Sequence, residues 1–452
     1  MWDVGIMRAI ALALIAISGT VLSFTSGHAA PVETVIYSFT GGSDGAAPQG
    51  VLVADAAGNL YGTASAGGVK TCIGGCGVVF KLARPAAAGQ KWTETVLHAF
   101  RGGVDGSTPL SALIFDAKGA LYGTTAQGGG STQCFGGCGT VFKMTPPAAS
   151  GKPWTEAVLY RFAGGANGSA PLGGLAMGAG GALYGTTAIY PSTGSSCIGA
   201  PCGTVFKLSP PVAGVPAWRL TVLHTFAGGN DGSLPLGTLL LGKGGILYGV
   251  TGLGGSTHCL SFGCGVVFQM TPPTSAGASW TETVIHDFQG GPSLGGGSDG
   301  AYPSSDLVMD ANGALYGTTL YGTGNGCGFG CGTVFKLTPP AAHSTAWADS
   351  TLYAFKGGKD GESPATGRLA FNTAGMLFGT TPSGGAASDG TVFRLTPAGT
   401  ASRWTEAVIH SFTGKAADGS DPQGGVILVS EFLYGTTING GQSGAGTVFQ
   451  VN

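Results

Sequence analysis

Ala120-Leu121-Tyr122-Gly123-Thr124-Thr125 is the stretch that decides the fold, because the chain writes it seven times. With small substitutions it stands at Leu60–Ala64, Leu121–Thr125, Leu183–Thr187, Leu247–Thr251, Leu315–Thr319, Leu377–Thr381 and Leu433–Thr437. Successive aromatic positions lie 61, 62, 64, 68, 62 and 56 residues apart. A period this regular marks a repeat architecture. It overrides the two or three domains that 452 residues alone would suggest.

Working outward from Tyr122, the unit reads as four strands. Leu113-Ile114-Phe115 is a short apolar run, as for a strand buried on both faces. Asp116-Ala117-Lys118-Gly119 turns the chain into the strand that carries Tyr122. A glycine-rich loop, Gln127 to Gly137, leads to a third strand, Gly139 to Met144. Pro146 and Pro147 open the next loop, since proline cannot donate to a central ladder, and a fourth strand runs from Thr155 to Phe162. Four short strands cannot bury both of their faces alone. Stacking such sheets radially does so, which predicts an all-β chain, a seven-bladed β-propeller of four-stranded antiparallel blades.

The ends predict how the ring closes. Residues 33–39, Glu33 to Phe39, match the fourth strand, and Gly446 to Val451 matches the third. Pairing residues 33–39 into the last blade completes it and removes two open edges. The blades are expected at about 50–100, 110–162, 172–226, 236–288, 304–355, 366–412 and 424–452 plus 33–39, in a single domain over 31–452. Residues 1–30 differ. Arg8 precedes an apolar stretch from Ala9 to Phe24 and then His28-Ala29-Ala30, the pattern of a cleaved secretory signal peptide. An exported protein is expected, secreted, periplasmic or on the cell surface, with no membrane contact after cleavage.

Glycine and proline make up nearly a quarter of the chain, but they fall periodically between apolar runs and read as turns. Only 9% of residues are charged and the net charge is −2. That argues against nucleic acid, which needs clustered Lys and Arg. A monomer is expected.

Three linked phrases carry a resemblance: Leu-Tyr-Gly-Thr-Thr, Gly-Thr-Val-Phe-Lys-Leu (Gly203–Leu208, Gly332–Leu337) and Trp-Thr-Glu-Thr-Val (Trp92–Val96, Trp280–Val284). With these the chain resembles the choice-of-anchor GloVer tandem-repeat family of exported bacterial proteins, over essentially all of the mature length. The resemblance implies an extracellular or surface setting and no particular reaction.

Ten cysteines form five local pairs, Cys72/Cys76, Cys134/Cys138, Cys197/Cys202, Cys259/Cys264 and Cys327/Cys331. Each pair lies in the loop between second and third strands, and the last two units have none. An even count in an exported chain predicts disulfides, and the repeat selects the local connectivity. Zinc would need four ligands, and each loop offers two thiols, with His258 the one extra candidate. No metal is expected there.

Every polar residue type that could do chemistry has a repeat explanation. His98, His224, His286 and His410 share one fourth-strand position with Tyr37, Tyr160 and Tyr353, which reads as surface filling. Only His258 and His343 are irregular. Glu94, Glu156, Glu282 and Glu406 follow the tryptophans, and Lys81, Lys143, Lys207, Lys336 and Arg394 sit on the third strand, which suggests cross-strand charge pairs. There is neither a nucleophile elbow nor a phosphate-binding lysine loop. No catalytic residue is assigned.

The candidate ligand residues are a repeated carboxylate and a few irregular aromatics. Asp44, Asp105, Asn167, Asp231, Asp299, Asp360 and Asp418 occupy one Asp-Gly turn position. In a propeller this turn lies on the same face as the cysteine loops, where the residues would ring the channel mouth and could meet Ca²⁺ or sugar hydroxyls. Tyr190, Phe262 and Tyr321 stand where units depart from the repeat, as do His258, Phe329 and the insertion Pro292 to Ser298. The expected function is a non-catalytic binding or interaction module for extracellular carbohydrate or protein. The alternatives are a polysaccharide hydrolase or lyase acting at the channel mouth, and a structural envelope protein.

Overall fold

The computed structural model describes residues 31–452, apart from 88, 150, 189–201, 256–257, 260–261, 276, 295, 325, 342–343, 365–366 and 400–403. The expected signal segment, Tyr190, Cys197 and His343 therefore lie outside the described residues. Seven antiparallel blades form a β-propeller within Val32–Asn452. Blade two is representative. Ile114–Phe115 pairs with Leu121–Thr125, which pairs with Thr140–Thr145, which pairs with Thr155–Arg161 at the outer edge. The inner strand is only two residues long and partly exposed rather than buried on both faces. The segment before it, Leu110, Ser111 and Ala112, lines the axial cavity.

Closure is direct. Glu33–Ser38 pairs antiparallel with Thr447–Val451, Glu33 opposite Val451 and Ser38 opposite Thr447. The first strand is the outer strand of blade seven. The ring then has no free edge between its first and last blades.

The repeated phrase builds the core. Its glycine exists for close approach: a Cβ on Gly123 would sit 2.6 Å from the ring tip of Phe142, and one on Gly249 would sit 2.4 Å from Phe268. The ring so admitted meets the phenylalanine that ends the outer strand of the preceding blade. Phe100 meets Phe142, Phe226 meets Phe268 and Phe412 meets Phe449, edge to face, at 5.0–5.1 Å between centroids. All seven blade junctions carry such a pair, Phe39 with Phe80 closing the circle. These rings are buried, and each pair adds about 0.5–1.5 kcal/mol beyond its area.

The tyrosine of the phrase faces the other way. Tyr61, Tyr122 and Tyr316 donate their hydroxyls to Asp55, Asp116 and Asp310 of the preceding turn, at 3.0–3.1 Å. The third-strand lysines lie over these rings: Lys81 over Tyr61, Lys143 over Tyr122 and Lys336 over Tyr316. This corrects the expected Lys–Glu pairing. Register sets Lys81 opposite Thr95 and Glu94 opposite Leu82, so lysine and glutamate leave the sheet on opposite faces.

One non-glycine residue per blade is held at φ of 51–60°: Ala47, Thr108, Ala170, Leu234, Tyr302, Ser363 and Asp421, each just before a proline. Such a conformation persists only where the surroundings enforce it. Here each N–H donates across the blade junction. Thr108 reaches the Cys76 carbonyl, Tyr302 that of Cys264 and Ser363 that of Cys331, at 2.8–3.0 Å.

Candidate functional site

The disulfides form as the repeat requires. Cys72–Cys76, Cys134–Cys138, Cys259–Cys264 and Cys327–Cys331 are bonded among the described residues. Cys202 is disulfide-bonded as well, and its expected partner Cys197 lies outside the described residues. Disulfides belong to oxidising compartments. Among the described residues no helix is long and apolar enough to cross a membrane.

The Asp-Gly turns pack on these disulfides, so both loop sets share a face. A Cβ on Gly102 would come within 2.9 Å of Cys72 Sγ, and one on Gly357 within 2.9 Å of Cys327 Sγ. The carboxylates, however, turn to the outermost strands and do not line the axial opening. Asp44 accepts from the Thr40 N–H and the Tyr37 hydroxyl, at 2.8 and 3.0 Å. Asp360 does the same with Lys356 N–H and Tyr353, at 2.7 and 2.6 Å. Asp105, Asp299 and Asp418 bond the histidine Nε2 instead, at 3.2–3.3 Å, and His224 Nε2 lies 3.3 Å from Asp231 without the geometry of a hydrogen bond. In blade three Asn167 donates to Tyr160. The Tyr-or-His position thus anchors the turn rather than merely filling a surface.

The glutamates complete these stations from the next blade. Glu94 faces Asp44, Glu156 faces His98 and Asp105, and Glu33 faces His410 and Asp418. Burial, with the neighbouring aspartate adding to it, pushes Glu94 and Glu406 up to about 7. Burial does the same for Glu33, against the attraction of His410. One oxygen each of Glu33, Glu94, Glu156, Glu282 and Glu406 is buried without a hydrogen bond. Blade three's station, Tyr160 with Asn167, meets Leu220 where the others meet an acid. Three stations bring three ligand-type side chains within 4.8 Å: His98–Asp105–Glu156, Glu33–His410–Asp418 and His286–Asp299–Asp349. Each aspartate already holds two donors, so the arrangement serves the blade junction.

The irregular aromatics do come together. Phe262, Tyr321 and Phe329, joined by Tyr302, line one cavity of about 200 Å³ between blades four and five. Tyr321 stacks near Tyr302 and Phe329, with centroids 6.0 and 5.9 Å apart. Local sequence makes the pocket. The second strands of these two blades run seven residues, Leu247–Leu253 and Leu315–Tyr321, two more than in blade two, which carries Tyr321 up to the loop face. The insertion folds as a short turn, Pro292–Leu294, that brings Leu294 to the rim, where its carbonyl accepts from the Cys259 N–H. Phe329 and Tyr302 carried a signal in the sequence: an aromatic at the tip of a cysteine loop, and one where other blades place Ala, Thr, Leu, Ser or Asp.

The cysteine loops share one further property. Each described disulfide loop carries a large apolar residue at its tip: Ile73, Phe135, Phe262 and Phe329. All four are exposed, Ile73 and Phe135 completely and the other two by about half. The loops of blades six and seven, Gly384–Gly390 and Gly440–Gly446, carry no such residue.

The sequence model of the Gloeobacter/Verrucomicrobia repeat matches residues 15–188, 137–367 and 320–452. Among solved structures, virginiamycin B lyase from Staphylococcus aureus is similar at TM-score 0.50 and 12% identity, covering 93% of this chain and 98% of that one. A PQQ-bound aldose sugar dehydrogenase from Streptomyces coelicolor is similar at TM-score 0.42 and 13% identity, covering 93% and 98%. At these identities the likeness is one of fold. Comparison with curated protein sequences gave no match. The chain belongs to the Gloeobacter/Verrucomicrobia repeat family.

Proposed function

We propose that this member of the repeat family is an exported, non-catalytic binding module whose disulfide-loop face docks a protein or peptide through an apolar anchor residue. The observation that carries the reading is the set of apolar tips on stapled loops, with the cavity between Phe262 and Phe329 as the seat for the anchor. Exposed apolar residues gathered on one face mark an interaction surface. A disulfide holds each tip in place before binding, which lowers the ordering cost of association. Side-chain polar groups in the cavity are confined to the phenols of Tyr302 and Tyr321. That favours an apolar side chain over a sugar, which would bring many hydroxyls to a wall with few partners. The irregular residues Phe262 and Tyr321 act as binding residues in this reading. The repeated carboxylates are junction residues, and calcium has no part in recognition.

The test is selection from a displayed peptide library on the wild-type protein, with Phe262→Ala/Phe329→Ala as counter-selection. Enriched peptides should share an aromatic or large aliphatic residue and bind the double variant at least tenfold more weakly, about 1.4 kcal/mol or more. Equal binding to the variant, or release of product from a polysaccharide, would overturn the proposal.

A further inference from the structure

The axial channel breaks the repeat in a way that no blade-building role explains. Each inner strand is preceded by the same short segment, a proline followed four residues later, five in blade six, by an apolar core residue such as Leu113 or Leu307. These segments from successive blades surround a cavity of about 200 Å³ on the axis. The residue after the proline is Leu110, Leu172 and Leu236 in blades two, three and four. In blades five, seven and one it is Ser304, Gln423 and Gln49. All six line the cavity, so one wall is apolar and the other polar.

One layer further along, blade five places Asp306 where blades one to three have Val51, Ala112 and Gly174. Asp306 is the one charged side chain among the described residues lining the cavity. It is held from behind: its Oδ1 accepts the Thr238 N–H at 2.7 Å, and Thr238 Oγ1 in turn accepts the Gly174 N–H at 3.0 Å. Burial pushes the Asp306 carboxyl up, while its hydrogen bond from the Thr238 N–H and the charge of Arg368 of blade six favour the ionised form; the Arg368 side chain is exposed and does not line the cavity. Beside Asp306 stands an independent sign of a missing partner. Ser304 is 2% exposed, and its Oγ has no hydrogen bond although it borders the cavity. A buried hydroxyl without a partner carries a desolvation cost that a hydrogen-bonding ligand removes.

We infer that the axial cavity is a binding site for a small amphipathic organic cation, a primary ammonium seated between Asp306 and Ser304 with a short aliphatic body against Leu110, Leu172 and Leu236. The lining excludes other classes. Ca²⁺ takes six to eight oxygens, several of them carboxylate, and zinc takes His or Cys ligands, whereas the described lining offers one carboxylate and neither His nor Cys. A sugar would set hydroxyls against three leucines. An ammonium supplies three donors, which suit one carboxylate, one hydroxyl and a glutamine carbonyl. Its CH₂ groups gain free energy on leaving water for the leucine wall. The site is separate from the loop-face pocket and stands or falls without it.

The probe is n-butylammonium chloride, titrated by calorimetry against the full-length protein, with 1-butanol and sodium chloride as controls. Saturable one-site binding in the millimolar range is expected, with 1-butanol at least tenfold weaker and sodium chloride at equal concentration without effect. Asp306→Asn should weaken butylammonium at least tenfold, and Ser304→Ala several-fold. Phe262→Ala/Phe329→Ala should leave it unchanged. The inference is overturned if butylammonium does not saturate, if 1-butanol binds equally well, if sodium displaces the amine, or if Asp306→Asn binds like wild type. The wild-type contrast between amine and alcohol decides the matter even where a variant folds poorly.

Discussion

Blades one to five and blades six and seven share a scaffold and differ in what they present. In the first arc the loop between second and third strands is long, and every described one is stapled and tipped with an apolar residue. In the second it is a short run of small residues. Yet the bond across the blade junction is the same in both. Thr108 donates to the carbonyl of Cys76, while Asp421 and Ala47 donate to those of Asp389 and Ala445, all at 2.9–3.0 Å. The ring therefore closes without cysteine wherever the loop is short. What the disulfides add in the first arc is a fixed tip, and that is why the binding face belongs to this arc.

Substitutions in the shared scaffold should be blind to the arc and carry the largest effects. Phe142→Ala in blade two and Phe393→Ala in blade six should each cost about 3–5 kcal/mol in denaturant unfolding. A blade-six cost below about 1 kcal/mol would break the equivalence of the two arcs. Next come Gly123→Ala and Gly379→Ala. Both added methyls would lie 2.6 Å from a phenylalanine ring tip, and each should cost about 1–3 kcal/mol.

Disulfides should separate the arcs. Cys134→Ser/Cys138→Ser should lose about 2 kcal/mol on the chain-entropy account. Faster amide exchange should be confined to residues 127–139, with blades six and seven unmoved. Spread of the effect round the ring would show that the staples hold the scaffold after all.

Acid titration should again be blind to the arc, and smallest per residue. Glu94 and Glu406 are raised from 4.5 to about 7 in the folded protein, mainly by burial. A raised carboxyl binds its proton more tightly when folded. Its contribution to stability is full below about 4.5 and is lost as pH rises through about 7. Melting temperature should therefore rise as pH falls from 8 to 5. After solvent screening each group should supply on the order of 1 kcal/mol. Glu94→Gln and Glu406→Gln should each flatten that rise equally. A melting temperature that falls over this range would contradict the station geometry.

The scaffold was legible because repetition converts weak local signals into a pattern. The phrase around Tyr122, the spare strand at Glu33 and the local cysteine pairs each reappear where the sequence places them. The Lys–Glu pairing was misread because a one-residue difference in register reverses the face, and sequence alone does not set register. The carboxylates were placed at the channel mouth because the turn's face could be inferred but the direction of the side chain could not. Their histidine and tyrosine partners, seven or more residues upstream, draw them to the outer strand. Most of the pocket is legible in the sequence: Phe262, Tyr321 and Phe329 stand out as departures, whereas Tyr302 reaches them only through a strained turn. Asp306 carries no motif of its own, and its significance is that it interrupts a position where blades one to three place Val51, Ala112 and Gly174.

The central claim is that recognition resides on the apolar tips of blades four and five. Hydrogen–deuterium exchange on the wild-type protein with a selected peptide measures it most directly. Protection concentrated at residues 253–264 and 321–331, with little change in 384–390 and 440–446, is the predicted result. Protection centred on the loops of blades six and seven, or on the outer strands, would contradict it.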